Sequence, residues 1–216
     1  MRISWMGHAS FLLETQKGTK IITDPYEPGS YSGAVGYSPI GVEADIVTVS
    51  HQHADHNYIK EFSTAEIIDK AGNFTVGDVQ IQGLLSYHDQ QKGKERGEII
   101  IFIISADGLR IAHFSDLGTM DIDLDKLKNI DIALIPVGGT FTIDAKEATK
   151  LLSQINPKIT IPMHFKTPKL GFDLLGVDTF LSGKANIEKK DSLQITRQDI
   201  DSLQQEGNVV VLDYQR

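Results

Sequence analysis

Short apolar runs punctuated by glycine and polar pairs fill the first half of the chain. Arg2–Met6, Ser10–Glu14 and Lys20–Thr23 are β-rich and separated by Gly7-His8 and Lys17-Gly18, a pattern that predicts three short strands. Asp24-Pro25 ends the third, because proline has no amide hydrogen to give to a ladder. Residues 26–42 mix Gly, Pro and the tyrosines Tyr26, Tyr31 and Tyr37 without a period of 2 or 3.6, which predicts a long loop of the functional or mobile kind. Asp45–Ser50, Glu66–Ile68 and Val79–Tyr87 read as further strands, with a turn near Gly72-Asn73. Ile99–Ser105 is apolar on both parities and predicts a central strand, paired through Ala106-Asp107-Gly108 with Arg110–His113. The intervening segment 89–98 is polar and reads as an exposed loop.

From residue 121 the pattern alternates between helix and strand. Asp121–Lys128 and Asp144–Ile155 predict helices, the second with Asp144 as N-cap and Glu147 three residues later, a capping box. Asp131–Pro136, Lys158–Met163, Ser192–Thr196 and Asn208–Tyr214 predict strands. Without an internal repeat or a linker-like stretch, the pattern suggests one domain over residues 1–216. Its class is layered α/β or α+β, with two sheets packed together and helices outside.

Composition narrows the chemistry. The 216 residues are 40% apolar and 23% charged, enough to fill a sizeable core. There is no cysteine, so disulfides, thiolate metal sites and thiol nucleophiles are excluded, and any transition metal must be held by His and carboxylate. A formal charge of -8 disfavours a broad nucleic-acid surface. The apolar run Ile99–Ile104 is too short to cross a bilayer, and MRISWMGHASFLLET lacks the pattern of a secretory leader, so the expected location is cytoplasmic.

The seven histidines are unevenly placed. Three fall in His51-Gln52-His53-Ala54-Asp55-His56, directly after an apolar strand. On an extended backbone His51, His53 and Asp55 would share one side, and a turn at Asp55-His56 would bring His56 back toward them. So many imidazole and carboxylate groups would repel or compete for protons unless a divalent cation used them all. Other candidates stand just beyond apolar strands: His88, His113 with Asp116, and His164. His51, His53, Asp55, His56, His88, Asp116 and His164 are too many for one tetrahedral ion with a water, and they suit two ions sharing a carboxylate. Nitrogen-rich donors without thiolate favour Zn2+, with Mn2+, Fe and Co also accommodated. His113 reads as a supporting histidine.

At these residues the chain resembles the metallo-beta-lactamase fold superfamily, and more narrowly its small metal-dependent hydrolases of the ascorbate-6-phosphate-lactonase-like group. The likeness runs through WMGHASFLLE, IITDPY, HQHADHN, SYHD, AHFSDLG, LIPVGGTFTIDAKEA and IPMHFKTP. It implies a four-layer αββα sandwich with two metals at the edge where the sheets meet. It further implies His51, His53 and His88 on one metal, Asp55, His56 and His164 on the other, and Asp116 between them. The family turn usually reads His-x-Gly-Asp-Thr, whereas this chain has His113-Phe114-Ser115-Asp116-Leu117, which predicts a shift in the bridging carboxylate or a lost supporting hydrogen bond.

Asp24 is the candidate carboxylate for orienting a ligating histidine, and His8, in WMGHASF, is expected on the cleft side. With Asp55, which can hold a hydroxide by a hydrogen bond, they form the candidate catalytic set. Gly138-Gly139-Thr140 predicts close backbone approach beside the metals; Lys166 and Lys169, or Lys92, Lys94 and Arg96, could meet an anionic substrate. The leading expectation is a metal-dependent hydrolase of a small ester, lactone or phosphoester, with a small-molecule partner and a homo-oligomer open. Two alternatives are a nuclease of RNA or DNA with the same chemistry, and a non-hydrolytic metal-binding or diiron redox module. No G-x-S-x-G elbow supports a serine route.

Overall fold

A computed structural model describes residues 1–204 and 207–216. Its strands are, in chain order, β1 (Arg2–Gly7), β2 (Ser10–Glu14), β3 (Lys20–Thr23), β4 (Ile46–Thr48), β5 (Glu66–Ile68), β6 (Gly72–Val76) and β7 (Val79–Tyr87). They continue with β8 (Glu98–Ala106), β9 (Leu109–His113), β10 (Ile132–Pro136), β11 (Ile159–Met163), β12 (Ile187–Lys190), β13 (Leu193–Gln194) and β14 (Asn208–Leu212). One sheet has the order β13-β1-β2-β3-β4-β5, the other β12-β14-β11-β10-β9-β8-β7-β6. The two pack face to face, with helices outside, in the metallo-beta-lactamase-like sandwich.

The alternation along each strand explains the layering. Ile3, Trp5, Phe11, Leu13, Ile21 and Ile46 face inward from the first sheet and join a core with Phe102, Ile104 and Leu134 of the second. The opposite parity, Leu12, Ile22 and Val47, is also buried, because Tyr26, Tyr37, Ile40 and Leu170 cover that face. Both faces of the first sheet's central strands are therefore dry, and those strands are continuous apolar runs. The helix Ala145–Ile155 buries Ala145, Ala148, Leu151 and Ile155 at helical spacing against the second sheet. Its capping box is present: Lys146 N and Glu147 N each donate to Asp144 Oδ1 at 2.8 Å, and Asp144 N donates to Glu147 Oε2 at 3.1 Å.

Four expectations need correction. Gly72-Asn73 is not a turn but the start of β6, and the turn lies at Gly77-Asp78, where Gly77 takes φ 57° between the paired Val76 and Val79. The helix expected over Asp121–Lys128 is only a 3-10 turn, Leu124–Leu127, because Leu127 alone of its residues is buried. Ser192–Thr196 contributes just the two-residue β13, and its end instead caps the helix Arg197–Ser202. Finally, β4 ends at Thr48, so His51, His53 and Asp55 are not on an extended strand; the chain turns there, with His56 N donating to His53 O at 2.9 Å.

Topology puts the strand ends where ligands can meet. In the first sheet β1 and β3 both run antiparallel to β2, and β4 runs parallel to β3, so β1 and β4 finish at the same edge. In the second, β7 and β9 both oppose β8, while β10 and β11 run parallel to β9. Two backbone hydrogen bonds close the sheets together at that edge: His164 N to His8 O at 3.2 Å and Ile100 N to Ser50 O at 3.0 Å.

Candidate metal centre

Each strand that finishes at the shared edge hands over one piece of the site. His8 follows β1, residues 50–56 follow β4, His88 follows β7, Asp116 lies beyond β9 and His164 follows β11. Two glycines let the backbones come this close: a Cβ on Gly118 would lie 2.2 Å from the His88 carbonyl carbon, and one on Gly138 would lie 2.2 Å from His164 O. The expected close approach at Gly138 is thus onto the His164 backbone.

The seven expected ligands all come together. His51, His53 and His88 present one nitrogen each within 4.8 Å of one another, and so do His8, His56 and His164. His51 Nε2 and His53 Nδ1 are 2.9 Å apart. Two nitrogens at bond lengths of about 2.0–2.1 Å on one tetrahedral ion would stand about 3.3 Å apart, so the pair fits shared coordination. Asp116 lies between the groups: Oδ2 is 3.2 Å from both His56 Nε2 and His88 Nε2, and Oδ1 is 3.2 Å from His164 Nε2. Yet His56 Nε2 and Asp116 Oδ1 are buried without a properly directed hydrogen bond. Buried polar atoms are rarely left so, and a cation bound between these groups would satisfy them.

The supporting hydrogen bonds set the tautomers. The His56 ring lies with Nδ1 2.9 Å from Asp24 Oδ2, so Nδ1–H donates to that carboxylate and Nε2 is the nitrogen that faces Asp116. His51 Nδ1 is 2.8 Å from Ser50 Oγ, which in the same way frees Nε2. Asp24 is completely buried and also accepts from Ser50 N at 2.8 Å and from the hydroxyls of Ser50 at 2.7 Å and Ser115 at 2.5 Å. Ser115, one of the two residues that depart from the expected turn, therefore adds a hydrogen bond to this support. His113 stays out of both groups and meets Ala9 O through Nε2 at 2.8 Å.

Asp55 does not stand alone in the second group. Its Oδ2 is 3.0 Å from His8 Nε2 and 3.7 Å from His56 Nε2, while Oδ1 accepts the Tyr31 hydroxyl at 3.2 Å. His8, expected on the cleft side, is thus fully buried among the imidazoles, its ring centre 4.2 Å from that of His164.

Charge follows from this crowding. Burial pushes His8 down to about 4 and His51 down to about 3, so both are neutral ligand-type imidazoles at pH 7. Burial also opposes charge on His56, but the Asp116 and Asp55 carboxylates outweigh it and raise that imidazole well above its ordinary range. Burial would raise Asp24 as well, yet the hydrogen bond from His56 and the charges of nearby histidines hold it at about 2. Asp116 is likewise held well below its usual value by His164 and His56 against the effect of burial. Ionised Asp24 and Asp116 thus stand beside neutral His8 and His51, while His56 holds a proton where a cation would sit.

Above the cluster opens a cavity of about 370 Å3 with Asp55, Asp116 and three of the histidines on its floor. Its walls are Tyr31, Phe141, Phe172 and Arg96. The sequence gives no spacing signal for the three rings, which come from separate loops; only the tyrosine-rich composition of 26–42 hinted at one. Of the basic residues expected near a substrate, Lys92 turns to Asp121 at 3.7 Å and Lys166 Nζ donates to Phe172 O at 2.6 Å.

Paired sheets with a histidine–aspartate cluster at their common edge define a metallo-beta-lactamase-fold protein. Residues 2–164 match the beta-lactamase superfamily domain, and the chain belongs to that family. It is 32% identical over 195 residues to a UPF0173 metal-dependent hydrolase of Thermococcus kodakarensis, covering 77% of this chain and 85% of that one. A protein of Methanosarcina mazei with the same description is 30% identical over 234 residues, 94% and 98% of the two chains. A solved structure from Thermotoga maritima, described as a candidate Zn-dependent hydrolase of the metallo-beta-lactamase superfamily, is 35% identical and superposes with a TM-score of 0.80 over 99% of both chains.

Proposed function

We propose that residues 1–216 form a single metallo-hydrolase domain that cleaves a small ester, lactone or phosphoester at a two-cation centre. The observation that carries this reading is the convergence of His56, His88 and His164 on one buried carboxylate, Asp116, with donor atoms left unpartnered. His51, His53 and His88 would hold one ion and His56, His164 and Asp55 the other, with Asp116 shared. Zn2+ suits the donors best. When bound, two divalent ions supply Lewis acidity for a carbonyl or phosphoryl oxygen and acidify a water toward neutral pH.

The chain's own residues then have separate tasks. Asp55, which lines the cavity floor, accepts a hydrogen bond from the attacking water. His8 holds the other side of that carboxylate, and Tyr31, whose phenol burial and Asp55 raise to about 12, stays protonated and donates to it. Asp24 fixes the His56 ring and thus acts at one remove. A cavity of about 370 Å3 favours a small molecule over a polymer such as RNA or DNA.

The test is turnover of an ester, lactone and phosphodiester panel by Zn2+- or Mn2+-loaded protein, with His53→Ala alongside. The expected result is hydrolysis that falls at least about a hundredfold in the variant together with loss of bound metal. Turnover indifferent to both chelator and His53→Ala would refute the reading, and iron as the sole native metal would favour redox use instead.

A further inference from the structure

The cavity walls have a chemistry of their own, distinct from the floor. Tyr31 and Phe172 meet edge to face with ring centres 5.4 Å apart and planes at 72°, and Phe141 and Phe172 do the same at 5.9 Å and 77°. Rings arranged this way leave faces and edges open to one more flat ring. Over Phe141, with its guanidinium carbon 5.8 Å from the ring centre, stands Arg96. That residue also lines an adjoining cavity of about 500 Å3 on the far side of His51 and His53, so its head group has room to meet a ligand.

The loop holding Arg96 is built rigidly despite its polar sequence. Asp89 is buried beside His88, and its carboxylate accepts from the backbone amides of Gln91 at 2.8 Å, Gly93 at 3.0 Å, Glu95 at 3.0 Å and Arg96 at 2.8 Å. The loop then closes on the site, with His88 N donating to Gly97 O at 3.0 Å. Arg96 is thereby fixed relative to His88. Its ion pair is with the exposed neighbour Glu95 at 3.7 Å, a contact too wet to compete strongly with a ligand. Among the described lining residues it is the one Lys or Arg side chain.

We propose that Arg96 and the wall formed by Tyr31, Phe141 and Phe172 select a small aryl ester or aryl phosphoester carrying an anionic group beyond the scissile bond. This deepens the hydrolase reading and rests on it. The ring of such a substrate stacks within the wall, the anion takes the guanidinium fork, and the scissile group meets the floor between His53, His88 and Asp55. A cavity at the lower end of the usual range for small-molecule sites matches one ring and its substituents.

Two substrate pairs test it, on the metal-loaded full chain: 4-acetoxybenzoate against phenyl acetate, and methyl 4-carboxyphenyl phosphate against methyl phenyl phosphate. Within a pair the scissile group is the same and only the distal carboxylate differs. The expected result is that Arg96→Gln lowers the kcat/KM ratio of carboxylated to plain substrate by about tenfold or more, chiefly through KM, and that Arg96→Lys recovers part of it. Phe172→Leu should narrow the preference for 4-acetoxybenzoate over 4-acetoxybutanoate. Ratios unmoved by Arg96→Gln would overturn the proposal. A titration with 4-hydroxybenzoate and with phenol reads the same selectivity without turnover. Arg96-dependent binding in a chain that hydrolyses nothing would keep this site and reject the hydrolase reading, whereas turnover with Arg96-independent binding would do the reverse.

Discussion

Four residues of the site hold the left-handed backbone conformation that side chains ordinarily avoid: His8 at φ 53°, Asp24 at 40°, Ser115 at 47° and His164 at 50°. Each sits just past a strand, and each costs on the order of 1–3 kcal/mol of local strain. The turn is what swings the side chain from the strand's alternating register into the shared centre. Ser115 shows the trade: glycine would sit there without strain, but the hydroxyl that reaches Asp24 requires a side chain. The same crowding predicts how metal-free protein responds to pH. His8 and His51 stay neutral in the fold while the unfolded chain gains protons below their ordinary 6.5, so stability falls as pH drops from about 6.5 toward 4 and 3. His56 is the opposite case: its raised value means the folded state holds more protons above 6.5, so stability also falls as pH rises through that value. Urea midpoints of chelator-treated protein should therefore peak near pH 6.5, and metal loading, by taking the place of the His56 proton, should flatten the alkaline limb. A flat chelated profile from pH 5 to 9 would contradict these charge assignments. The donor cluster was readable from the sequence at this scale because His51, His53, Asp55 and His56 are crowded into six positions. Tyr31, Phe141 and Phe172 were not, since an aromatic residue in a loop looks the same whether it covers a sheet or walls a cavity.

At the scale of elements, legibility followed hydrophobic contrast. Strands buried on both faces, such as β8 with its run of isoleucines, and the amphipathic helix Ala145–Ile155 have strong signals, and both lie within a residue or so of where the pattern puts them. The edge strand β12 is Ile-Glu-Lys-Lys with all four residues exposed, so nothing in its pattern distinguishes it from a loop; it exists because β14 offers it a parallel ladder. β6 was hidden by its own Gly72-Asn73, residues that weaken a strand but are tolerated at a sheet edge. The capping box of Ala145–Ile155 is a local device whose value can be measured. Asp144→Ala removes the acceptor for two amides and should lower stability by about 1 kcal/mol, seen as a lower denaturant midpoint at unchanged slope. No shift in midpoint would mean that packing on the second sheet alone sets this helix.

For the whole molecule, the site exists because two sheets finish their mutually parallel strands at one edge and are tied there by His164 N to His8 O and Ile100 N to Ser50 O. Neither sheet alone holds a complete donor set: His51, His53 and His56 come from the first, His88, Asp116 and His164 from the second. Cations binding there would cross-link the sheets, so loading is a global stabiliser as well as a source of chemistry. Fold leaves the reaction open, since scaffolds of this kind host chemistry through the groups placed on them, and here the walls of the cavity differ from its floor. The most direct test of the account is anomalous diffraction at the metal edge from crystals of the Zn2+-loaded chain. Two peaks are predicted, one enclosed by His51, His53 and His88 and one by His56 and His164, with Asp116 between them; no peak in that cluster, or a single ion bound elsewhere, would contradict it.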